Sequence, residues 1–117
     1  MRMLYCWRCR AEVPMMDEAE YELVHAEFAA GIKAVKTYRE QHGTSLKDTP
    51  MDQIYAPLQQ LYRELSQAAG FTAPVVKADH IYKHRLTDYG PPCPHCGRPY
   101  RTPNAKLCAE CGRKRAP

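Results

Sequence analysis

The chain has 117 residues, a formal net charge of +4 and six cysteines. This length suits one domain, or a small core with a metal module attached. The sequence has no apolar run near the roughly 18 residues that span a membrane, and it begins without the apolar segment of a secretory signal. The cysteines form three Cys-x-x-Cys pairs, which indicate metal ligation in a reducing compartment, so we expect a cytoplasmic protein.

The first pair, Cys6 and Cys9, lies in a predicted β-hairpin that covers residues 1–16. Short stretches of alternating apolar and polar residues flank the pair, and Pro14 is expected to end the second strand. The residue after the pair is Arg10, whereas both later pairs are followed by Gly. Two cysteines provide half of a metal site, so the missing ligands must come from the far half of the chain. We therefore expect the N-terminal hairpin and the C-terminal cysteines to lie together.

Residues 17–90 are predicted to form a helical domain that begins with a long helix over about 17–42. Asp17 and Glu20 have the spacing of a capping box, and Gly43 is a typical stop signal. Between these signals, apolar residues recur at steps of three and four, which predicts an amphipathic helix. The apolar stripe consists of Tyr21, Val24, Phe28, Ile32, Val35 and Tyr38.

A second helical stripe begins near residue 51 and contains Pro57. Because proline disrupts a helix interior, this segment is either kinked or split into a short turn and a helix from about 56 to 69. Two amphipathic helices joined by a short loop favour an antiparallel helical hairpin. A short third helix, capped by Asp79 and extending through Leu86, is predicted to follow a connector over residues 71–76.

The strongest pattern lies in the C-terminal segment, residues 91–117. The segment contains Cys93-Pro-His-Cys96-Gly and Cys108-Ala-Glu-Cys111-Gly, with eleven residues between Cys96 and Cys108. The Gly after each pair allows a positive φ, which directs backbone N–H groups at the sulfurs. Two such turns that face each other complete a closed tetrahedral Cys₄ site, which suits structural zinc. Iron in a rubredoxin-like site is the alternative, because the spacing does not choose the metal.

Residues 93–112 resemble a zinc ribbon. The resemblance implies a structural zinc ion and a local fold of two facing turns. Zinc ribbons occur in nucleic-acid-binding, protein-docking and purely structural settings, so the resemblance leaves the function open.

A second zinc site is predicted from Cys6 and Cys9 together with His80 and His84. On the predicted third helix, residues at i and i+4 share one face, so the two imidazoles would complete a Cys₂His₂ site. The alternatives are that Cys6 and Cys9 are reduced thiols or that His84 forms a functional surface with Arg85. A redox role for the pair is disfavoured, because the sequence lacks the βαβ units of a thioredoxin-like fold.

Two further groups of residues suggest interaction surfaces. The acidic middle and basic C-terminal parts of the chain could face different partners, or could simply be solvated. A nucleic-acid surface would use basic residues and one stacking ring: Arg98, Tyr100, Arg101, Lys106, Arg113, Lys114 and Arg115. A protein-binding surface would use tyrosines beside the helical stripes, which could instead cap a small core: Tyr55, Tyr62, Tyr82 and Tyr89.

Together these patterns predict a mainly α fold, in which a helical hairpin and a short third helix lie between a zinc-binding β-hairpin and a zinc ribbon. The expected function is non-enzymatic binding of another protein, as an adaptor or a cognate inhibitor of a toxin or effector. The alternative is a transcription-associated zinc ribbon that binds nucleic acid through its basic surface. A redox or hydrolytic enzyme comes third, because no catalytic motif is visible.

Overall fold

The computed structural model describes residues 1–72 and 78–116, except for the side chain of Asp79. Of the residues that the model describes, 44% are helical and 15% are in strands or bridges, so the expectation of a mainly α fold holds only in part. Cysteine clusters lie near both ends. The elements, in order, are strands β1 (Arg2–Cys6) and β2 (Ala11–Met15), helices α1 (Glu18–His42), α2 (Met51–Ile54), α3 (Ala56–Ala68) and α4 (Ala78–Ile81), and a 3₁₀ turn (Leu86–Asp88).

Strands β1 and β2 pair antiparallel and form the predicted hairpin around the first cysteine pair. The expectation that Pro14 ends the second strand is wrong, because Pro14 lies inside β2 opposite Met3. A proline lacks the backbone N–H and is tolerated where a strand has a free edge, as in this two-stranded sheet. The Pro14 carbonyl accepts a hydrogen bond from the Tyr62 hydroxyl, which ties the hairpin to α3.

Helix α1 begins and ends as its sequence predicts. The backbone N–H of Glu20 donates to the Asp17 carboxylate at 2.8 Å, and the Asp17 N–H donates to the Glu20 carboxylate at 3.0 Å. This reciprocal pair is the predicted capping box. At the other end, Gly43 has a φ of 62°, and its N–H donates to the Arg39 carbonyl. Both boundary signals are therefore confirmed.

The segment around Pro57 is split, which is one of the two predicted outcomes. Helix α2 ends at Ile54, and Pro57 lies in the first turn of α3, where its missing N–H costs nothing. Helix α3 then packs against α1 as a helical hairpin. The shared core contains Val24 from α1 and Leu58 and Tyr62 from α3.

Gly31, inside α1, lies close to Tyr55, the residue that joins α2 to α3. A Cβ atom added to Gly31 would lie 2.3 Å from the ring of Tyr55. The glycine therefore provides the space that this ring occupies. Tyr55 also stacks on Phe28, with ring centroids 5.8 Å apart.

The third helix is shorter than expected, because α4 ends at Ile81 instead of extending through Leu86. The chain instead pairs with the residue that follows β2. The N–H of Met16 donates to the His84 carbonyl at 2.7 Å, and the N–H of Leu86 donates to the Met16 carbonyl at 2.9 Å. These bonds form a parallel bridge between Met16 and Arg85, and extended pairing replaces helix there. The predicted cap, the side chain of Asp79, and residues 73–76 of the predicted connector lie outside the described residues.

Within the part of the chain that the model describes, the core is divided into three small clusters instead of one. The helical cluster contains Met16, Val24, Leu58, Tyr62 and Ile81. The hairpin cluster contains Cys6, Val13, Met15 and Tyr89, and the ribbon cluster contains Cys93, Tyr100 and Cys108. Two of the three clusters therefore include cysteines. Among the described residues, no helix has the length and apolar character needed to cross a bilayer.

Candidate metal centres

The three Cys-x-x-Cys turns share one backbone geometry. In each turn, the residue after the second cysteine has a positive φ: 54° at Arg10, and 79° at both Gly97 and Gly112. In each turn, the N–H of that residue also donates to the carbonyl of the first cysteine, at 2.7–2.8 Å. The Cys6–Cys9 turn is therefore built like the two ribbon turns, although a non-glycine residue occupies its strained position.

The four ribbon cysteines lie at the distances of a tetrahedral thiolate site. The Sγ atoms of Cys93 and Cys111 are 3.8 Å apart, and those of Cys96 and Cys108 are 3.6 Å apart. A tetrahedral zinc ion with Zn–S bonds of about 2.3 Å separates its sulfurs by roughly 3.8 Å. A disulfide would require about 2.05 Å. The four thiols are therefore free and arranged around a common centre, as their spacing predicts.

Backbone hydrogen bonds favour the thiolate form at one of these cysteines. The backbones of Cys96 and His95 hydrogen-bond to the Cys93 sulfur and, despite opposing desolvation, lower its pKa to about 6. A thiolate that is already present at neutral pH favours metal capture.

A second group of ligands consists of Cys6, Cys9 and His84, whose ligand atoms all lie within 4.8 Å of one another. The Nε2 atom of His84 is 3.2 Å from the Sγ atom of Cys9, across 75 positions in sequence. His84 is completely buried. The bridge between Met16 and Arg85 positions His84, because His84 directly precedes Arg85 and so lies beside the hairpin.

The predicted ligand set is therefore corrected in one position, since His80 is absent from this group. The prediction assumed that His80 and His84 share one helical face. Helix α4 ends at Ile81, and His84 follows a turn in extended backbone, so the i, i+4 relation does not apply.

Two buried tyrosine hydroxyls surround the second group. The Tyr62 hydroxyl lies 3.1 Å from both the Pro14 carbonyl oxygen and the Nδ1 atom of His84. The Tyr89 hydroxyl lies 3.2 Å from the Sγ atom of Cys6. Such contacts from outside the ligand set orient ligands and tune their basicity.

The two cysteines of this group differ in their proton affinity. Burial raises the pKa of Cys6, but hydrogen bonds from His84, Tyr89 and the Cys9 backbone outweigh it and bring the pKa to about 6. Burial and the negative charge of Cys6 raise the pKa of Cys9 to about 11. Without a metal, the group therefore holds one thiolate and one thiol at neutral pH. A bound cation would displace the remaining proton.

The hairpin and the ribbon contact each other, as expected. The guanidinium of Arg98 lies 3.9 Å from the ring centre of Tyr5, and that of Arg101 lies 4.7 Å from the ring of Trp7. Both arginines also pair with Glu110, at 3.4 and 3.0 Å. The cation–π contacts join the two cysteine-containing ends of the chain, and the ion pairs with Glu110, which lie within the ribbon, hold the two guanidinium groups in place.

These contacts change the interpretation of the predicted nucleic-acid surface. Tyr100 is only 2% exposed, so the expectation that it stacks on a base is wrong. Its ring packs in the ribbon cluster, with the guanidinium of Arg115 over it. Arg98 and Arg101 are engaged with Glu110 and the hairpin rings. The remaining basic candidates are Lys106, Arg113 and Lys114, which are exposed.

The predicted protein-binding tyrosines divide into two pairs. Tyr62 and Tyr89 are buried in core clusters, which fits the alternative that they cap a small core and do not face a partner. Their hydroxyls instead contact His84 and Cys6, two members of the second group of possible metal ligands. Tyr55 and Tyr82 are half-buried and both stack on Phe28, with centroid distances of 5.8 and 4.5 Å. Their role in binding stays a prediction.

An exposed apolar position on α1 was not anticipated. Ile32 belongs to the predicted buried stripe, yet it is 52% exposed. It lines a groove of about 530 Å³ with Val35 at its base, and the other lining residues include Lys36 and Glu40. Helix α3 is half as long as α1, with 13 against 25 residues. Comparing the two helix lengths in the sequence could have indicated that α3 is too short to cover all of α1.

Residues 1–72 and 78–116 thus contain two groups that could hold a metal ion, one of four cysteines and one of two cysteines and a histidine. Both groups are assembled from Cys-x-x-Cys turns of the same geometry. Comparison of the chain with models of protein families, with curated proteins and with solved structures finds no match.

Proposed function

We propose that this chain is a non-enzymatic zinc protein, in which two zinc ions replace a large core and hold α1 in place to bind another protein. The sulfur-rich donor sets support zinc, because thiolates and imidazoles are its preferred ligands. A structural zinc site contributes on the order of 10 kcal/mol to the folding of a small module. Two such sites would stabilise a chain whose apolar core is divided into three small clusters.

The observation that carries the binding proposal is the groove beside Ile32. Ile32 on α1 is 52% exposed, and the groove that it lines with Val35 is open to a partner. Charged residues around the groove, Lys36 and Glu40 among them, resemble the polar rim of a protein interface. We propose that an apolar side chain of the partner fills the groove. An adaptor role fits this arrangement, and the narrower role of cognate inhibitor stays a prediction.

The binding proposal is tested by comparing tagged wild-type protein with Ile32→Lys in capture from the native host. Leu107→Lys is the matched control, because Leu107 is similarly exposed at 51% but lies on the ribbon. A stoichiometric protein captured by the wild type and by Leu107→Lys, but not by Ile32→Lys, would support the proposal. A partner that binds Ile32→Lys equally well would refute the groove as its site.

Nucleic-acid binding is the second candidate, and the exposure of Lys106, Arg113 and Lys114 supports it. If these three residues contact phosphates of duplex DNA, log Kd should vary with log salt with a slope of about 2.7. Replacing Arg113 and Lys114 by Ala should then lower this slope by nearly two. Binding that is absent at low salt, or a slope that these changes do not alter, would exclude this candidate.

A further inference from the structure

The hydroxyl of Tyr62 has hydrogen-bond partners that fix where its proton lies. It lies 3.1 Å from the Pro14 carbonyl oxygen and 3.1 Å from the Nδ1 atom of His84. A carbonyl oxygen can only accept, and a tyrosine hydroxyl has a single proton. The hydroxyl therefore donates to Pro14 and has only its lone pairs left for His84.

This arrangement determines the tautomer of the histidine. Because the Tyr62 oxygen can only accept from the ring, the proton of a neutral His84 must be on Nδ1. The lone pair is then on Nε2, which lies 3.2 Å from the Cys9 sulfur. His84 is completely buried, so water cannot replace Tyr62 as the partner of Nδ1. When Nε2 binds a metal ion, the ring proton is therefore on Nδ1, where the Tyr62 oxygen accepts it.

We infer that Tyr62 is a positioning residue for the Cys6–Cys9–His84 metal centre, because its hydroxyl accepts the Nδ1 proton of His84 and fixes the orientation of the ring that binds the metal. This inference rests on the second zinc ion of the proposed function. Since Tyr62 belongs to α3, the affinity of this centre depends on the docking of α3 against the hairpin. The Cys₄ centre lacks such a link, because its four ligands all come from the ribbon.

The test compares Tyr62→Phe with Tyr55→Phe in the full-length chain. Tyr62→Phe keeps the ring that packs in the helical cluster and removes only the hydroxyl. Tyr55→Phe removes a hydroxyl beside the same cluster, at a position outside the metal groups. The affinities of both centres are measured by zinc competition with a chromophoric chelator. Cobalt substitution identifies each centre, because four thiolates and a mixed sulfur–nitrogen set give different absorption bands.

We expect Tyr62→Phe to weaken the second centre by about 10- to 100-fold, the usual effect of losing a contact of this kind. The Cys₄ centre should keep its affinity, and Tyr55→Phe should behave as the wild type does. Unchanged affinity at the second centre, or an equal loss at both centres, would overturn the role of Tyr62. A wild-type chain that binds a single zinc ion would instead refute the second centre itself, and the role of Tyr62 with it.

Discussion

Replacing Gly31 by Ala tests how closely the Tyr55 ring packs against α1. Two opposing effects are expected. Alanine is favoured over glycine in a helix interior by about 1 kcal/mol. The added Cβ, however, would lie 2.3 Å from the Tyr55 ring, so the ring must move away from its stack on Phe28. Overpacking of this kind typically costs about 1–3 kcal/mol. The net expectation is a loss of about 1 kcal/mol in the free energy of unfolding.

The sign should reverse when the ring is removed. In a Tyr55→Ala background, Gly31→Ala meets no ring and should stabilise the protein by about 1 kcal/mol, the full helix propensity. The coupling energy between the two positions is then about 2 kcal/mol. Ala30→Gly, at an exposed position of the same helix, measures the propensity alone and should cost about 1 kcal/mol.

Urea denaturation of the zinc-saturated proteins measures these free energies by linear extrapolation. The wild type, Gly31→Ala, Tyr55→Ala, the double variant and the Ala30→Gly control are compared at one zinc concentration. This is necessary because bound metal adds to the apparent stability. If Gly31→Ala stabilises the otherwise unchanged protein by about 1 kcal/mol, the close packing of Tyr55 on α1 is refuted.

Three further outcomes are expected at the second metal centre. Arg10→Gly should stabilise the protein by about 1 kcal/mol in urea denaturation, because glycine adopts a positive φ without strain; a loss of stability would contradict the geometry of this turn. Tyr89→Phe should raise the pKa of Cys6 in the metal-free protein, since a donor to the thiolate is lost; a thiolate absorbance titration that matches the wild type would argue against this bond. Between pH 6.5 and 8, zinc affinity at this centre should rise about tenfold per pH unit. Cys9, with a pKa near 11, must lose its proton when zinc binds, whereas Cys6, with a pKa near 6, is already ionised. Chelator competition that shows no pH dependence would contradict this assignment.

Features set by neighbouring residues were predictable from the sequence. The Cys₄ centre is one example, because its turns bring their own ligands and need only to face each other. The helix boundaries at Asp17 and Gly43 are another, since a cap depends on residues within one turn. The split at Pro57 follows from the missing N–H of proline and was one of two predicted outcomes.

Features set by distant parts of the chain were predictable only in part. The cysteine count indicated that a metal site at Cys6 and Cys9 needs further ligands, but the pairing of Met16 with Arg85 determines which histidine lies beside these cysteines. This pairing uses backbone groups and leaves no side-chain pattern in the sequence. Tyr62 was assigned to the surface because it lies beside the apolar stripe, and its burial depends on hydroxyl partners from two other segments.

The central claim is that the chain binds two zinc ions, one at each group of ligands. Native mass spectrometry of protein purified with zinc counts the bound ions directly. The claim predicts two per wild-type chain and one in His84→Ala, with the remaining ion at the Cys₄ centre. A single ion in the wild type, or two ions retained in His84→Ala, would contradict it.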